Sequence, residues 1–184
     1  MVLTKTPICN FGKKPQSFNL KGVDNKMYRL EDCFGKNGTI VMFICNHCPY
    51  VKAIVNNIVD DTNNLKKLGV NSVAIMSNDT KNYPDDSFEK MKEFAKKNKF
   101  NFPYLIDETQ DIAKQYGAVC TPDFFGYNSK KELQYRGRMR ELKDLKPVDN
   151  KESDLFKAMK LISETGKGPE NQIPSMGCNI KWFN

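Results

Sequence analysis

Short apolar runs alternate along this chain with segments that have a helical period. The segment 39–44 reads Thr-Ile-Val-Met-Phe-Ile, a run that is typical of a strand buried on both faces. From Val51 to Leu68 the apolar side chains begin at i, i+3, i+4 and i+7, with Asn, Asp and Lys between them. This spacing predicts an amphipathic helix that Gly69 ends. The segment 70–76 is mainly apolar and predicts a second buried strand.

The remaining pattern completes an α/β order. The further predicted elements are two strands within 17–30 around a turn at 22–25, a helix after Ser87, a strand at 102–106, a short helix at 109–117, a hairpin of 123–127 with 133–138, and a helix after Ser153. Residues 141–151 have the composition of a linker. We predict a central mixed β-sheet flanked by helices, with an N-terminal β-hairpin and a C-terminal tail extension.

Length and composition indicate one folded domain. The chain has 184 residues, of which 39% are hydrophobic, so it holds enough apolar material for a core. We predict a single domain over 1–184, with a core at about 17–165 and a tail at 166–184.

Charge and apolar run length argue against two classes of partner. The net charge of +7 comes from lysines scattered along the chain, and no nucleic-acid motif accompanies them. No stretch approaches the roughly 20 apolar residues that span a membrane. Residues 1–16 lack the apolar run of a secretory signal. We therefore predict a cytoplasmic protein without a nucleic-acid or membrane partner.

Cysteines are the main candidates for chemistry, and two of the six stand in Cys45-Asn46-His47-Cys48-Pro49. Pro49 fits the first helical position, which makes Cys48 the N-cap of the predicted helix. The helix N-terminus favours a thiolate there, and a protonated His47 lowers the pKa of the thiol further. Cys45 is close enough in sequence to form a disulfide with Cys48. This placement indicates redox chemistry, with a buried apolar pair as the alternative.

Two further interpretations concern the same cysteines. Two thiolates with His47 or Cys120 would supply zinc ligands, but the chain has no second C-x-x-C or H-x-H pair, so we predict no metal. Cys120-Thr121-Pro122 is the second candidate segment. An X-Pro bond can be cis at a tight turn, although a proline that begins a strand is the simpler explanation.

Three segments together resemble the peroxiredoxin-like branch of the thioredoxin superfamily, within the alkyl hydroperoxide reductase and thiol-specific antioxidant group. They are Cys-Asn-His-Cys-Pro-Tyr-Val-Lys at 45–52, Cys-Thr-Pro-Asp-Phe-Phe-Gly-Tyr at 120–127, and Pro-Ser-Met-Gly-Cys-Asn-Ile-Lys-Trp at 174–182. The resemblance implies a thioredoxin-like fold. It also implies that Pro122 is a cis proline facing the reactive cysteine, where it helps to position a substrate disulfide, and that Cys120 lies near Cys48.

The cysteine motif departs from the better-known relatives. Peroxiredoxins carry P-x-x-x-T-x-x-C, but Val41 and Cys45 stand here at the Pro and Thr positions. In the thioredoxin register Cys48 takes the place of the first cysteine and Val51 that of the second. We favour Cys48 as the nucleophile with Cys45 as its resolving partner, and the reverse assignment is the alternative. Cys178 in the tail is either a resolving cysteine or a structural buried thiol.

The leading functional hypothesis is a thioredoxin-like thiol–disulfide oxidoreductase and antioxidant protein. Cys48 attacks a disulfide of a protein or small molecule, and Cys45 or Cys120 resolves the mixed disulfide. His47 tunes the thiolate, and Pro122 presents the substrate. A reductant of the thioredoxin or glutathione type is implied.

Two other functions stay open. In a peroxiredoxin-type thiol peroxidase, a hydroperoxide oxidises Cys48 and another cysteine traps the product. Arg136 or Arg138 could then supply a guanidinium, but we expect both to be exposed charges of the hairpin. The third function is a non-catalytic thioredoxin-fold binding module or metal site. No phosphate-loop or dinucleotide motif is present, so we predict no cofactor.

Overall fold

The computed structural model describes residues 3–149 and 151–183. The helices in these residues are α1 (Pro49–Lys67), α2 (Phe88–Lys97), α3 (Asp111–Tyr116) and α4 (Asp154–Thr165). The strands are β1 (Leu3–Lys5), β2 (Asn19–Gly22), β3 (Met27–Arg29), β4 (Gly38–Phe43), β5 (Val70–Met76), β6 (Tyr104–Ile106), β7 (Cys120–Thr121), β8 (Asp123–Asn128), β9 (Leu133–Tyr135), β10 (Leu142–Lys143), β11 (Lys146–Pro147) and β12 (Met176–Asn179). None of the described helices is long and apolar enough to cross a membrane.

Seven strands form a central mixed sheet in the order β3-β2-β6-β5-β4-β8-β9. β4 is parallel to β5 and antiparallel to β8. Alternate residues of β4 enter two apolar clusters: Ile40 and Met42 join residues of α1 and α4, whereas Val41 and Phe43 join residues of α3. The apolar run predicted as a doubly buried strand is therefore an interior strand with both faces covered.

Helices α1 and α4 begin where the sequence predicted. Pro49 is the first residue of α1 and Cys48 is its N-cap. Of the side chains predicted for the apolar face, Leu68 is half-buried at the C-cap and the others are buried, namely Val51, Ile54, Val55, Ile58 and Leu65. Ser153 caps α4, since its Oγ accepts a hydrogen bond from the backbone N–H of Phe156 at 2.9 Å. The short segment 44–48 thus carries the chain from an interior strand directly to a helix N-terminus.

The hairpin and the predicted linker differ from expectation in detail. Strand β9 ends at Tyr135 rather than at Arg138, because the Arg136 backbone N–H donates to Oε1 of Gln172 at 2.8 Å instead of continuing the ladder. The segment 141–151, predicted as a linker, contains the small antiparallel pair β10 and β11.

A second sheet, in the order β1-β12-β7, has no counterpart in the sequence analysis. Strand β12 reads Met-Gly-Cys-Asn, without a β-branched residue, so its local propensity for a strand is low. Tertiary contacts hold it instead. The Lys181 backbone N–H donates to Oδ1 of Asn78, and Nε2 of Gln110 donates to the Lys181 carbonyl oxygen, both at 2.8 Å. Part of the predicted tail is therefore anchored across β7, beside the start of α1.

Candidate active site

Three cysteine thiols meet at the N-terminus of α1. The Sγ atoms of Cys48 and Cys178 lie 2.8 Å apart. The Sγ of Cys48 is also 3.1 Å from the backbone carbonyl oxygen of Thr121. Cys45 lies on the strand side of Cys48, and its Sγ is 3.3 Å from the hydroxyl of the same Thr121. Cys45 and Cys48 are 0% exposed and Cys178 is 1% exposed, so the cluster is closed to solvent.

The pKa of Cys48 is strongly lowered. Hydrogen bonding with Cys178 is the largest cause and hydrogen bonding with Cys45 the second, and together they outweigh burial. The backbone N–H of Val51 in the first turn of α1 adds to the effect. The same bonds to Cys48, reinforced by burial, raise the pKa of Cys178 and of Cys45. These opposite shifts favour ionisation of Cys48 over ionisation of Cys45 or Cys178.

His47 lies beside Cys45 and pairs with a buried carboxylate. Its Nδ1 is 2.6 Å from Oδ2 of Asp86 and 3.9 Å from the Sγ of Cys45. The hydrogen bond to Asp86 raises the pKa of His47 and outweighs the opposite effect of burial. The carboxylate balances much of the imidazolium charge locally. The role predicted for His47, tuning the Cys48 thiolate, stays a prediction.

Asp86 is a site residue that the sequence analysis did not identify. It is 0% exposed, and besides His47 its carboxylate accepts hydrogen bonds from the Asn46 backbone N–H and from Nδ2 of Asn78, both at 2.8 Å. These bonds fix the turn between the two cysteines of the motif. No local pattern indicates this contact, because Asp86 lies in a polar loop 40 positions from Asn46.

The second predicted segment packs against the thiol cluster. The Thr121–Pro122 peptide bond is cis, as the resemblance implied. The Thr121 hydroxyl lies 3.3 Å from the Sγ of Cys45. Cys120 is also buried nearby, but its thiol donates to the Pro122 carbonyl oxygen at 3.6 Å, and burial raises its pKa. The third thiol in direct contact is thus Cys178 and not Cys120.

The expectation that both hairpin arginines are exposed charges is wrong for Arg136. Its side chain is buried, and its Nη2 lies 3.0 Å from Oδ2 of Asp123 and 2.7 Å from the Gly117 carbonyl oxygen. Burial raises the pKa of Asp123 to about 6, against the opposing effect of Arg136. The Arg136 guanidinium therefore forms a buried ion pair with Asp123. Arg138 forms a partly exposed ion pair with Asp154 at 2.7 Å.

One group among the described residues has the composition of a metal site. Cys45, His47 and Asp86 each offer a ligand atom, and these atoms lie within 4.8 Å of one another. The Nδ1–Oδ2 separation of 2.6 Å is a hydrogen bond. It is shorter than the about 3.3 Å that tetrahedral coordination at zinc bond lengths requires. The donor set can hold an ion only if this hydrogen bond opens.

A cavity of about 470 Å³ adjoins the outer side of the site. Tyr50 and Ile54 of α1, Pro122, and Ser175 and Met176 before and within β12 contribute to its wall. This volume falls in the range of cavities that hold small organic ligands.

The fold and the site define a class of protein. An interior strand of a mixed sheet leads to a cysteine at a helix N-terminus, and a cis proline lies beside that cysteine. The chain has a TM-score of 0.58 and 15% identity with the thioredoxin domain of a thiol-disulfide oxidoreductase from Bacteroides vulgatus, over 68% of this chain and 86% of that chain. That similarity shows the fold, and the predicted thioredoxin-like fold class is confirmed.

The chain belongs to the AhpC/TSA family, whose model matches residues 11–139. It is 30% identical over 117 residues to the chloroplastic peroxiredoxin Q of Populus jackii. This match covers 64% of the chain but only 50% of that relative, so the chain spans about half the length of the relative. A crystal structure of an uncharacterised conserved protein from Geobacillus kaustophilus has 40% identity and a TM-score of 0.90, covering 100% of this chain and 97% of that chain. The predicted peroxiredoxin-like family is therefore confirmed.

Proposed function

We propose that this protein is a thiol–disulfide oxidoreductase with Cys48 as its nucleophile. The observation that carries the proposal is the position of Cys48 at the start of α1, with the Sγ of Cys178 2.8 Å from its own Sγ. A thiolate is the form that attacks a disulfide, and this arrangement holds Cys48 in that form. Membership of the AhpC/TSA family supports a thiol-dependent oxidoreductase.

The reaction balances with the groups of the cluster. The Cys48 thiolate attacks one sulfur of the substrate disulfide, forms a mixed disulfide and displaces a substrate thiolate, which takes the proton of a neighbouring thiol. That neighbour, now a thiolate, attacks the Cys48 sulfur and releases the second substrate thiolate, which is protonated by water. Two electrons pass from the protein dithiol to the substrate. An external thiol reductant, of the thioredoxin or glutathione type, then reduces the protein disulfide.

Replacement of the nucleophile tests this function. Cys48→Ser is expected to lower the rate of reduction of hydroxyethyl disulfide by at least about a hundredfold, because a serine hydroxyl stays protonated and is a poor nucleophile. Cys33→Ser is the matched control, since Cys33 is also buried but lies in the other apolar cluster. Activity of Cys48→Ser equal to that of the control would contradict the proposal.

A thiol peroxidase is the second candidate, favoured by the family match and by the similarity to a peroxiredoxin. The Cys48 thiolate would attack a hydroperoxide, release an alcohol or water, and become a sulfenic acid that a neighbouring thiol converts to a disulfide with loss of water. Consumption of hydrogen peroxide much faster than by an ordinary thiol, with loss of the Cys48 thiol, supports this reaction. Consumption at the rate of an ordinary thiol contradicts it.

A further inference from the structure

Strand β7 presents a backbone edge directly beside the nucleophilic thiol. Its Thr121 carbonyl oxygen is 3.1 Å from the Sγ of Cys48. An open strand edge binds extended chains by main-chain hydrogen bonds, a mode that peptide-binding proteins use widely. A substrate strand paired at this edge would carry its disulfide to Cys48.

In this chain β12 already occupies that edge. It pairs antiparallel with β7, with Cys178 opposite Thr121 and Asn179 opposite Cys120. This register brings the Sγ of Cys178 to 2.8 Å from the Sγ of Cys48. Gly177 allows the close approach, because a Cβ at that position would collide with the Thr121 carbonyl oxygen.

Specific contacts hold β12 in place. The Ser175 hydroxyl donates to the Pro122 carbonyl oxygen at 2.7 Å, and the Ser175 backbone N–H donates to Oγ1 of Thr6 at 3.0 Å. On the other edge β1 pairs with β12, with Leu3 opposite Cys178. Among the described residues β12 is therefore paired on both edges, and the β7 edge that faces it is not open to another extended chain.

We infer that β12 acts as a built-in substrate strand: Cys178 is the thiol that forms the disulfide with Cys48, and the strand excludes protein disulfides in favour of low-molecular-weight disulfides. This inference rests on the proposed function and assigns the resolving role to Cys178 rather than to Cys45. The cavity of about 470 Å³ is lined by Pro122 and by Ser175 and Met176, which offers space for a small molecule on this side of the cluster. Because Cys48 is 0% exposed, a disulfide in the cavity reaches its Sγ only after a side chain of the wall moves.

The resolving step needs no component beyond those already named. After Cys48 forms the mixed disulfide, the displaced substrate thiolate takes the proton of the Cys178 thiol. The Cys178 thiolate attacks the Cys48 sulfur, the Cys48–Cys178 bond forms, and the remaining substrate thiolate leaves. The two sulfurs lie 2.8 Å apart, so a small movement of the side chains brings them to the length of a disulfide bond.

Disulfide mapping tests the identity of the resolving thiol. The reduced protein is treated with one equivalent of hydroxyethyl disulfide, alkylated, digested and analysed by mass spectrometry. We expect a Cys48–Cys178 bridge in the wild type and in Cys33→Ser, and no such bridge in Cys178→Ser. A Cys45–Cys48 bridge in the wild type, formed at the same consumption of disulfide, overturns the inference and leaves the proposed function intact. Consumption that does not depend on Cys48 overturns the proposed function itself.

A comparison of substrates tests the exclusion of protein strands. The wild type is expected to reduce hydroxyethyl disulfide far faster than insulin, and Gly177→Val is expected to increase the relative rate with insulin, because the added side chain forces β12 off the edge. Ser175→Ala is a milder variant that removes one anchoring hydrogen bond, and it is expected to increase the relative rate with insulin by up to about tenfold. The inference that β12 excludes protein disulfides is overturned if the wild type reduces both substrates at equal rates. It is also overturned if the ratio of the insulin rate to the hydroxyethyl disulfide rate is the same in both variants as in the wild type.

Discussion

The Sγ atoms of Cys48 and Cys178 lie 2.8 Å apart, although 130 positions separate the two residues in the chain. One residue caps a helix and the other lies on a short C-terminal strand. Their contact joins the two segments of the chain on which the proposed chemistry depends. It also explains why the cysteine at the N-cap, and not its partner three residues earlier, has the low pKa.

The Cys48 thiolate depends on its thiol donors. Cys178→Ala removes the donor that contributes most, so we expect the pKa of Cys48 to rise toward the ordinary value of a thiol. The measurement is a pH titration of the ultraviolet absorbance of the thiolate in the reduced protein. Cys33→Ala is the control and should leave unchanged the absorbance step that occurs at the lowest pH. An unchanged titration in Cys178→Ala would show that the helix N-terminus and Cys45 suffice.

The pKa of His47 should depend on Asp86. Asp86→Asn keeps an acceptor oxygen for the Asn46 and His47 backbone N–H groups but removes the negative charge, so the pKa of His47 is expected to fall. The chain has one histidine, so a single imidazole signal in an NMR titration reports it without assignment. Asp85→Asn, at the adjacent position, is the control. No decrease in Asp86→Asn relative to the control would contradict the pairing.

The same pair makes stability depend on pH. Because the folded pKa of His47 is raised above its unfolded value of about 6.5, the pair's contribution is complete below that pH and is lost as pH rises through the folded pKa. The free energy of unfolding of the wild type should therefore exceed that of His47→Gln most at acidic pH, and the difference should shrink as pH increases. Denaturant unfolding across this range measures it. A difference that grows with pH has the wrong sign for this pair.

The buried ion pair between Arg136 and Asp123 should contribute more to the free energy of unfolding than the partly exposed pair between Arg138 and Asp154. Arg136→Met leaves the carboxylate of Asp123 buried without its partner, which is expected to cost about 3–5 kcal/mol of unfolding free energy. Arg138→Met, which removes the more exposed pair with Asp154, should cost only about 0–1 kcal/mol. Denaturant unfolding of both variants provides the comparison. Equal costs would contradict the difference in burial.

Metal analysis addresses the binding-module hypothesis. The His47–Asp86 hydrogen bond must open before Cys45, His47 and Asp86 can share an ion, so we expect protein purified without chelators to contain far less than one zinc per chain. The measurement is elemental analysis of the reduced protein, with Asp86→Asn as a comparison. Near-stoichiometric zinc in the wild type, lost in Asp86→Asn, would instead support a metal site.

Much of the sheet and the position of Cys48 at the start of α1 could be predicted, because the signals for them are local. The apolar run at 39–44, the helical spacing from Val51 and the position of Pro49 each depend on neighbouring residues alone, and the structure has an interior strand, an amphipathic helix and an N-cap at Cys48 in those places. The resemblance added Pro122, which the sequence by itself could not place opposite the motif.

The rest required the tertiary structure. Strand β12 has little strand propensity of its own, and it exists because β1, β7 and the contacts of Lys181 fix it. Asp86 contacts the Cys45–Cys48 motif because the polar loop that carries it folds back against the motif. Arg136 is buried because Asp123 lies beside it as an ion-pair partner. The sequence by itself determined that Cys48 sits at the start of a helix, since that depends on local spacing and capping. The tertiary structure alone decided which thiol touches it, because contacts between distant segments depend on packing that no local pattern encodes.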